Sequence, residues 1–168
     1  MGETRDPASA VEREPAPVFL VAYGTGPMSD AQLHLACRAA NDVGAVVRVL
    51  HVVVRPRHRP LSTPLIPEEQ AAAEALLDRA ERIAHPYGVA CDLEIVRAPT
   101  VGDAIVSDAR EHQARAIFIG LRDRNRPGTR FLLSATVRRV LQSAPCPVYI
   151  GYLPASLPAD AARDVTVG

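Results

Sequence analysis

The sequence predicts an α/β fold, in which a five-stranded parallel sheet carries helices on both faces. Five short apolar runs, several rich in β-branched residues, have the composition of strands buried on both sides. The segments between them show helical periodicity with start and stop signals, and such alternation is typical of parallel sheets with right-handed crossovers. The chain of 168 residues, 48% of them hydrophobic, has the size and composition of one globular domain.

The five predicted strands set the place of a binding site. The first, Pro17–Tyr23, is a continuous apolar run, and the second, Ala45–Val54, is heavy in valine, which favours extended backbone. The other three are Val89–Arg97, Ala116–Gly120 and Val148–Leu153. Parallel strands form their crevice at their carboxyl ends, so the segments after the first, second and fourth strands are the candidate functional segments.

The first two helices have clear boundary signals. A capping box of Ser29 and Gln32 predicts the start of the first helix, and Gly44 predicts its end. Its apolar stripe consists of Leu33, Ala36, Cys37 and Ala40. The loop Arg55–Ile66 holds three prolines, and Pro67 then opens the second helix, because proline suits the first helical turn. That helix carries the stripe Ala73, Leu76, Leu77, Ala80, Ile83 and Ala84 and ends before Gly88.

The last two helices are shorter. Thr100 and Asp103 form a second capping box ahead of the third helix. The fourth helix is predicted over Ser134–Ser143, where Ser134 and Thr136 are expected to cap its start. We expect one domain over residues 17–153, a disordered tail over 1–16 and a flexible tail over 154–168, in which Val165 and Val167 offer only a marginal edge strand.

The charge balance excludes some classes of partner. The 19 acidic residues cancel 19 basic ones, all of them arginine, so the chain lacks the positive field needed for general binding to nucleic acid or anionic membranes. Without lysine, neither a Schiff base nor a phosphate-loop lysine can form. Three widely spaced cysteines, Cys37, Cys91 and Cys146, suggest no disulfide framework, and we expect a cytoplasmic protein.

No catalytic set is evident in the sequence. His51 lies inside an apolar strand and is interpreted as a core histidine with its polar atoms satisfied, and Cys146 is interpreted as a small apolar residue. The remaining candidates, His34, His85 and His112, show no metal-ligand spacing with the cysteines. We therefore expect no metal site and no enzymatic activity.

Several stretches resemble the universal stress protein family. They are Arg48–Val53 (RVLHVV), Glu94–Ala109 (EIVRAPTVGDAIVSDA), Ile117–Gly120 and Arg138–Ile150 (RRVLQSAPCPVYI). The last of these is the most specific, and the similarity covers about residues 17–153. The resemblance implies the strand order 3-2-1-4-5 and a homodimer. It also implies that the chain belongs to one of two branches of the family, of which one binds ATP and the other does not.

The ATP-binding branch has three signatures, and this sequence keeps only part of them. Val52 corresponds to the valine that touches adenine, and Gly120 corresponds to the first glycine of a phosphate-binding loop. The aspartate position falls at Gly24 or Tyr23, and neither residue can accept hydrogen bonds as a carboxylate side chain does. The final Gly-Ser/Thr pair falls at Ser134 and Ala135.

The loop after the fourth strand also departs from the family pattern. Its second glycine position falls at Asp123 or Arg124, and Pro127 removes an amide donor. Arg122, Arg124, Arg126 and Arg130 offer an alternative, since guanidinium groups bind phosphate in bidentate pairs.

Two hypotheses follow from this mixture. The first is a non-catalytic regulatory or scaffolding module of a stress response, with lost or altered ATP binding and an unidentified protein partner. The second is a sensor of ATP or a cyclic nucleotide, held by Val52, Gly120 and the arginine loop, with backbone groups near Ala22 and Gly24 replacing the aspartate. An ATP hydrolase is disfavoured because no acid is positioned for a metal ion.

The dimer interface is predicted on the last strand, at Val148, Tyr149, Ile150 and Tyr152.

Overall fold

A computed structural model of the chain describes residues 15–57, 60–121 and 133–152. Its five strands form one parallel sheet in the order β3-β2-β1-β4-β5. They are β1 (Val18–Ala22), β2 (Val46–Val54), β3 (Cys91–Ala98), β4 (Ala116–Leu121) and β5 (Val148–Tyr152). The predicted fold class and strand order are confirmed, and the strand ends differ from the prediction by at most two residues among those described. The predicted tails lie mostly outside these residues, as do Val165 and Val167.

Four helices cover the two faces of the sheet. They are α1 (Pro27–Val43), α2 (Pro67–Ala84), α3 (Val101–Glu111) and α4 (Ala135–Ser143), and a short 3₁₀ helix over His85–Tyr87 follows α2. Helices α1 and α2 bury one face of the sheet, with Leu33, Cys37 and Ala80 at or near zero exposure. Helices α3 and α4 bury the other face, around Ile105 and Val140.

The predicted capping box at the start of α1 is wrong. The helix begins two residues before Ser29, at Pro27, because Gly26 adopts a φ of 111° and turns the chain directly into a proline-led first turn. Ser29 Oγ instead accepts the backbone N–H of Gly24 at 3.2 Å. Gln32 is buried against β5 and leaves no room for a side chain at Gly151.

Four other helix signals behave as predicted. Gly44 ends α1 in the left-handed conformation, with φ 68°. Pro67 occupies the first turn of α2. Thr100 Oγ1 accepts the Asp103 N–H at 3.3 Å, and Ser134 Oγ accepts the Val137 N–H at 3.2 Å.

A buried ion pair ties α3 to the sheet. Arg48 of β2 donates from Nε and Nη2 to the two carboxylate oxygens of Asp108 on α3, both at 2.9 Å, and it also pairs with Asp92 of β3. Arg48 and Asp108 are both more than nine-tenths buried, whereas the Asp92 side chain is about half exposed. The hydrogen bonds that Arg48 donates to Asp108 raise the pKa of Arg48 further above its usual range, so this arginine stays charged.

We expect Asp108→Ala to lower the free energy of unfolding by about 3–5 kcal/mol, because it leaves a buried guanidinium without its main partner. Asp92→Ala is the matched control, and removing this half-exposed carboxylate is expected to cost no more than about 1 kcal/mol. Urea denaturation followed by circular dichroism measures both losses. Equal losses in the two variants would contradict the account of Asp108 as the principal partner.

Candidate functional site

The candidate site lies at the carboxyl ends of β1 and β4. The strand order reverses here, since the chain proceeds from β1 outward to β2 and β3 and later fills the other side with β4 and β5. Crevices at such points are the usual ligand sites of open α/β sheets. The ends of β1, β2 and β4, together with the start of α4, therefore surround the site.

Strand β2 extends past the end of β1. The pairing of β1 with β2 stops at Ala22 opposite Leu50, after which the Tyr23 N–H donates to the Leu50 carbonyl at 2.9 Å. Strand β2 continues to Val54 with β3 as its neighbour. Within the described ranges, residues 51–54 thus have a strand on one side only. The predicted ligand contact Val52 lies in this overhang and is partly buried.

The residues that directly follow β1 form the exit of this strand, and hydrogen bonds to other parts of the protein close it. The Tyr23 side chain is almost completely buried, and its hydroxyl donates to Asp30 Oδ1 of α1 at 2.6 Å. Asp30 also forms an ion pair with Arg79 of α2. Burial and the bond to Asp30 raise the pKa of the Tyr23 hydroxyl well above its usual range, so it is a neutral group here. Tyr23 therefore does not supply the negative charge of an aspartate at this position.

The backbone at the same exit is also engaged. His51 Nδ1 donates to the Tyr23 carbonyl at 3.0 Å, and the Gly24 N–H is used by Ser29 Oγ. Ala22 pairs with β2 on one side and with β4 on the other. The expectation that backbone groups near Ala22 and Gly24 replace the missing aspartate stays a prediction, although the Tyr23 carbonyl and the Gly24 N–H already have partners within the fold. The interpretation of His51 as a core histidine is met in part, since Nδ1 has a partner but the side chain is only partly buried.

Gly120 has a packing role in the structure. It lies within β4 rather than in the following loop, and a Cβ added to it would come within 2.7 Å of Met28 Cγ on α1. Strand β4 therefore needs a glycine here so that α1 can approach closely. The structure thus gives Gly120 a packing role under α1, and its part in phosphate binding stays a prediction.

Helix α4 is bound to the start of α3 by a hydrogen-bonded ion pair and by close packing. Arg139 Nε donates to Asp103 Oδ1 at 2.6 Å, and Gly102 allows close approach of the Arg139 side chain. Hydrogen bonds from Thr100 and Arg139 lower the pKa of Asp103. At the helix start itself, Ser134 and Ala135 are exposed, while Thr136 is partly exposed.

Some predicted site residues cannot be placed against the others. Arg122, Arg124, Arg126 and Arg130 lie outside the described residues, and phosphate binding by these arginines stays a prediction. The described ranges contain no group of three or more histidine, cysteine or acidic side chains arranged to hold a metal ion. Cys146 packs against the cluster around Ile105, as its interpretation as an apolar residue predicted.

No motif in the sequence indicated the network behind Tyr23. The ion pair of Asp30 with Arg79 joins positions 49 apart in the chain. No local pattern reports a contact between two helices at that separation. The close approach of Met28 to Gly120 was missed for the same reason.

These features define an α/β protein with a switch-point crevice and a glycine-dependent contact between a helix and the sheet. The universal stress protein family model matches residues 17–150, and the chain belongs to that family. A search of the curated proteins gives no significant match. No helix among the described residues is both long enough and apolar enough to cross a membrane.

Solved structures of the same family share the fold. A universal stress protein from Archaeoglobus fulgidus is 23% identical, with a TM-score of 0.65 over 80% of this chain and 92% of its own. The universal stress protein from Archaeoglobus fulgidus in complex with dAMP is 24% identical, with a TM-score of 0.62 over 80% and 96%. A universal stress protein in complex with cAMP is 19% identical, with a TM-score of 0.64 over 83% and 98%.

We expect Gly120→Ala to destabilise the protein by about 1–3 kcal/mol, the usual cost of overpacking a well-packed contact. Because the neighbouring group is the Met28 side chain, Met28→Ala should relieve part of this cost, so the double variant should lose less than the sum of the single losses. Thermal and urea unfolding without any ligand measure the effect. Simple additivity of the two losses would show that the contact with Met28 is not what requires glycine.

Proposed function

We propose that this universal stress protein family member is a non-catalytic regulatory or scaffolding module of a stress response, a homodimer that has lost tight ATP binding. The closed exit of β1 is the observation that carries the proposal. Gly24 or Tyr23 stands where the family pattern has an aspartate, and the Tyr23 hydroxyl is committed to Asp30. At this point an incoming ribose or base would meet the buried phenol of Tyr23 instead of a carboxylate.

The nearest carboxylate does not substitute for the missing one. Asp30 accepts from Tyr23 and is paired with Arg79, so a ligand would have to compete with both groups. Reorienting a part-buried carboxylate away from two partners costs free energy that the ligand must supply. This supports weak or absent ATP binding.

The proposed lack of catalytic turnover rests on what phosphoryl transfer requires. In-line phosphoryl transfer needs groups that clamp the phosphates and a site for the metal ion that bridges them. Within the described ranges, no three histidine, cysteine or acidic side chains are grouped so that they could hold such an ion. The arginine loop could supply positive charge for binding, but arginines do not ligate a metal ion.

A homodimer through β5 is supported by the contrast between the two edges of the sheet. On β5, Tyr149, Ile150 and Tyr152 are 51%, 38% and 43% exposed, and Tyr149 stacks on Phe118 with ring centroids 5.0 Å apart. On β3, the exposed side chains include charged Asp92, Glu94 and Arg97. Charged edge strands resist pairing, whereas an apolar edge favours a partner. A second copy of the same edge, related by two-fold symmetry, would cover the β5 residues, Val148 included.

Light scattering at micromolar concentration is expected to give twice the chain mass of 18.0 kDa for the wild-type protein. Ile150→Arg should give a monomer, because it places charge in the middle of the apolar edge. Glu94→Arg on the opposite edge is the control and should remain dimeric. A monomeric wild-type protein would overturn the proposed dimer, as would a dimer that survives Ile150→Arg but not Glu94→Arg.

A second candidate function is supported by the β2 overhang. Residues 51–54 have no strand neighbour on the crevice side among the described residues, so the backbone groups that point away from β3 could meet the hydrogen-bonding edge of a planar base. Structural neighbours were solved in complex with dAMP and cAMP. Under this alternative the protein is an adenine-nucleotide sensor whose phosphate contacts come from the arginine loop.

Isothermal titration calorimetry with ATP and magnesium separates the two functions. The first proposal expects no saturable heat, which corresponds to a dissociation constant weaker than about 1 mM. Saturable binding that is lost in the double variant Arg124→Ala/Arg126→Ala would instead support the sensor. Arg82→Ala on α2 is the matched control, since this exposed arginine lies at the end of the helix remote from the crevice. A parallel titration with cyclic AMP tests the cyclic-nucleotide form of the alternative.

A further inference from the structure

The connection between β2 and α2 presents an anchored turn. At one end Arg55 is buried, and its Nη2 donates to Glu69 Oε2 of α2 at 2.5 Å. Further along, Arg97 Nη1 of β3 donates to the Thr63 carbonyl at 2.9 Å. The Thr63 N–H closes a turn onto the Pro60 carbonyl at 3.0 Å. Ser62 lies inside this turn and is exposed.

The residues before Ser62 are strongly basic. Arg57 and Arg59 stand five and three positions ahead of it, and Thr63 and Pro64 follow. Arg57 is exposed. Protein kinases select substrates partly by such patterns of charge around an accessible hydroxyl.

We propose that Ser62 is a phosphorylation site for an arginine-directed serine/threonine protein kinase. Ser62 Oγ attacks the γ-phosphorus of kinase-bound ATP, forming an Oγ–P bond as the bond from that phosphorus to the β,γ-bridging oxygen breaks. The hydroxyl proton passes to the catalytic base of the kinase, and ADP leaves. The kinase supplies both the nucleotide and its magnesium, so the proposal does not depend on nucleotide binding by this chain.

Arg97 gives the modification a local consequence. Its guanidinium already binds the carbonyl of the next residue, and a phosphate on Ser62 would bring a stronger acceptor within reach of the same side chain. Phosphoserine carries a charge of about −1.5 to −2 at neutral pH and forms charge-assisted hydrogen bonds with arginine. Phosphorylation would therefore strengthen the attachment of the turn to β3.

Treating the full chain with ATP, magnesium and an arginine-directed kinase tests the site. Intact-mass spectrometry should show one added phosphoryl group, and fragmentation should locate it on Ser62. The Ser62→Ala variant should lose it, while Thr63→Ala, the adjacent hydroxyl, should keep it. Arg57→Ala should slow incorporation several-fold. If the wild-type chain remains unmodified while the same kinase modifies a basic control peptide, or if the phosphate resides elsewhere, the proposal is overturned.

The role of Arg97 has a separate readout. The second phosphate pKa of phosphorylated Ser62, measured from the ³¹P chemical shift against pH, should be lower in the wild-type background than in Arg97→Gln, because a nearby guanidinium favours the dianion. An identical pKa in both backgrounds would contradict the proposed pairing with Arg97. Circular dichroism of both unmodified proteins verifies that they are folded.

Discussion

The hydrogen bond from the buried Tyr23 hydroxyl to Asp30 is the constraint on which the site depends. It joins the end of β1 to α1, and the ion pair between Asp30 and Arg79 extends the connection to α2. The His51 bond to the Tyr23 carbonyl fixes the backbone at the same place. A chain segment held through its side chain and its carbonyl has little freedom to reorganise around a ligand. The crevice thus lies at a common position for ligand sites, but the residues that line it at the end of β1 are hydrogen-bonded to one another and to neighbouring elements.

Close contacts between α1 and strands β4 and β5 reinforce this arrangement. Gly120 and Gly151 lie side by side on β4 and β5, and they lie under Met28 and Gln32 of α1. Helix α1 can approach the sheet this closely only because Gly120 and Gly151 have no side chain. The glycine that resembles a phosphate-loop residue in the sequence thus has a structural explanation. The same α1 supplies Asp30, so the packing of this helix and the closure of the β1 exit depend on one another.

The fold could be predicted from sequence because its signals are local. Apolar runs, Gly44, Pro67, Thr100 and Ser134 each specify a strand or a helix boundary within a few residues. The start of α1 was misplaced because Ser29 and Gln32 have the spacing of a capping box, while Gly26 and Pro27 gave an earlier start. The site was less predictable, since its main contacts, such as Asp30 with Arg79, join residues far apart in the chain. The loss of a carboxylate after β1 was visible in the sequence, whereas the closure that accompanies it required the structure.

A crystal structure determined in the presence of saturating ATP and magnesium tests the central claim most directly. The account predicts that the Tyr23 hydroxyl remains on Asp30, that His51 remains on the Tyr23 carbonyl, and that no triphosphate occupies the space between β1 and β4. A triphosphate seated there, with Tyr23 displaced from Asp30 and a carboxylate turned toward the ribose, would contradict it.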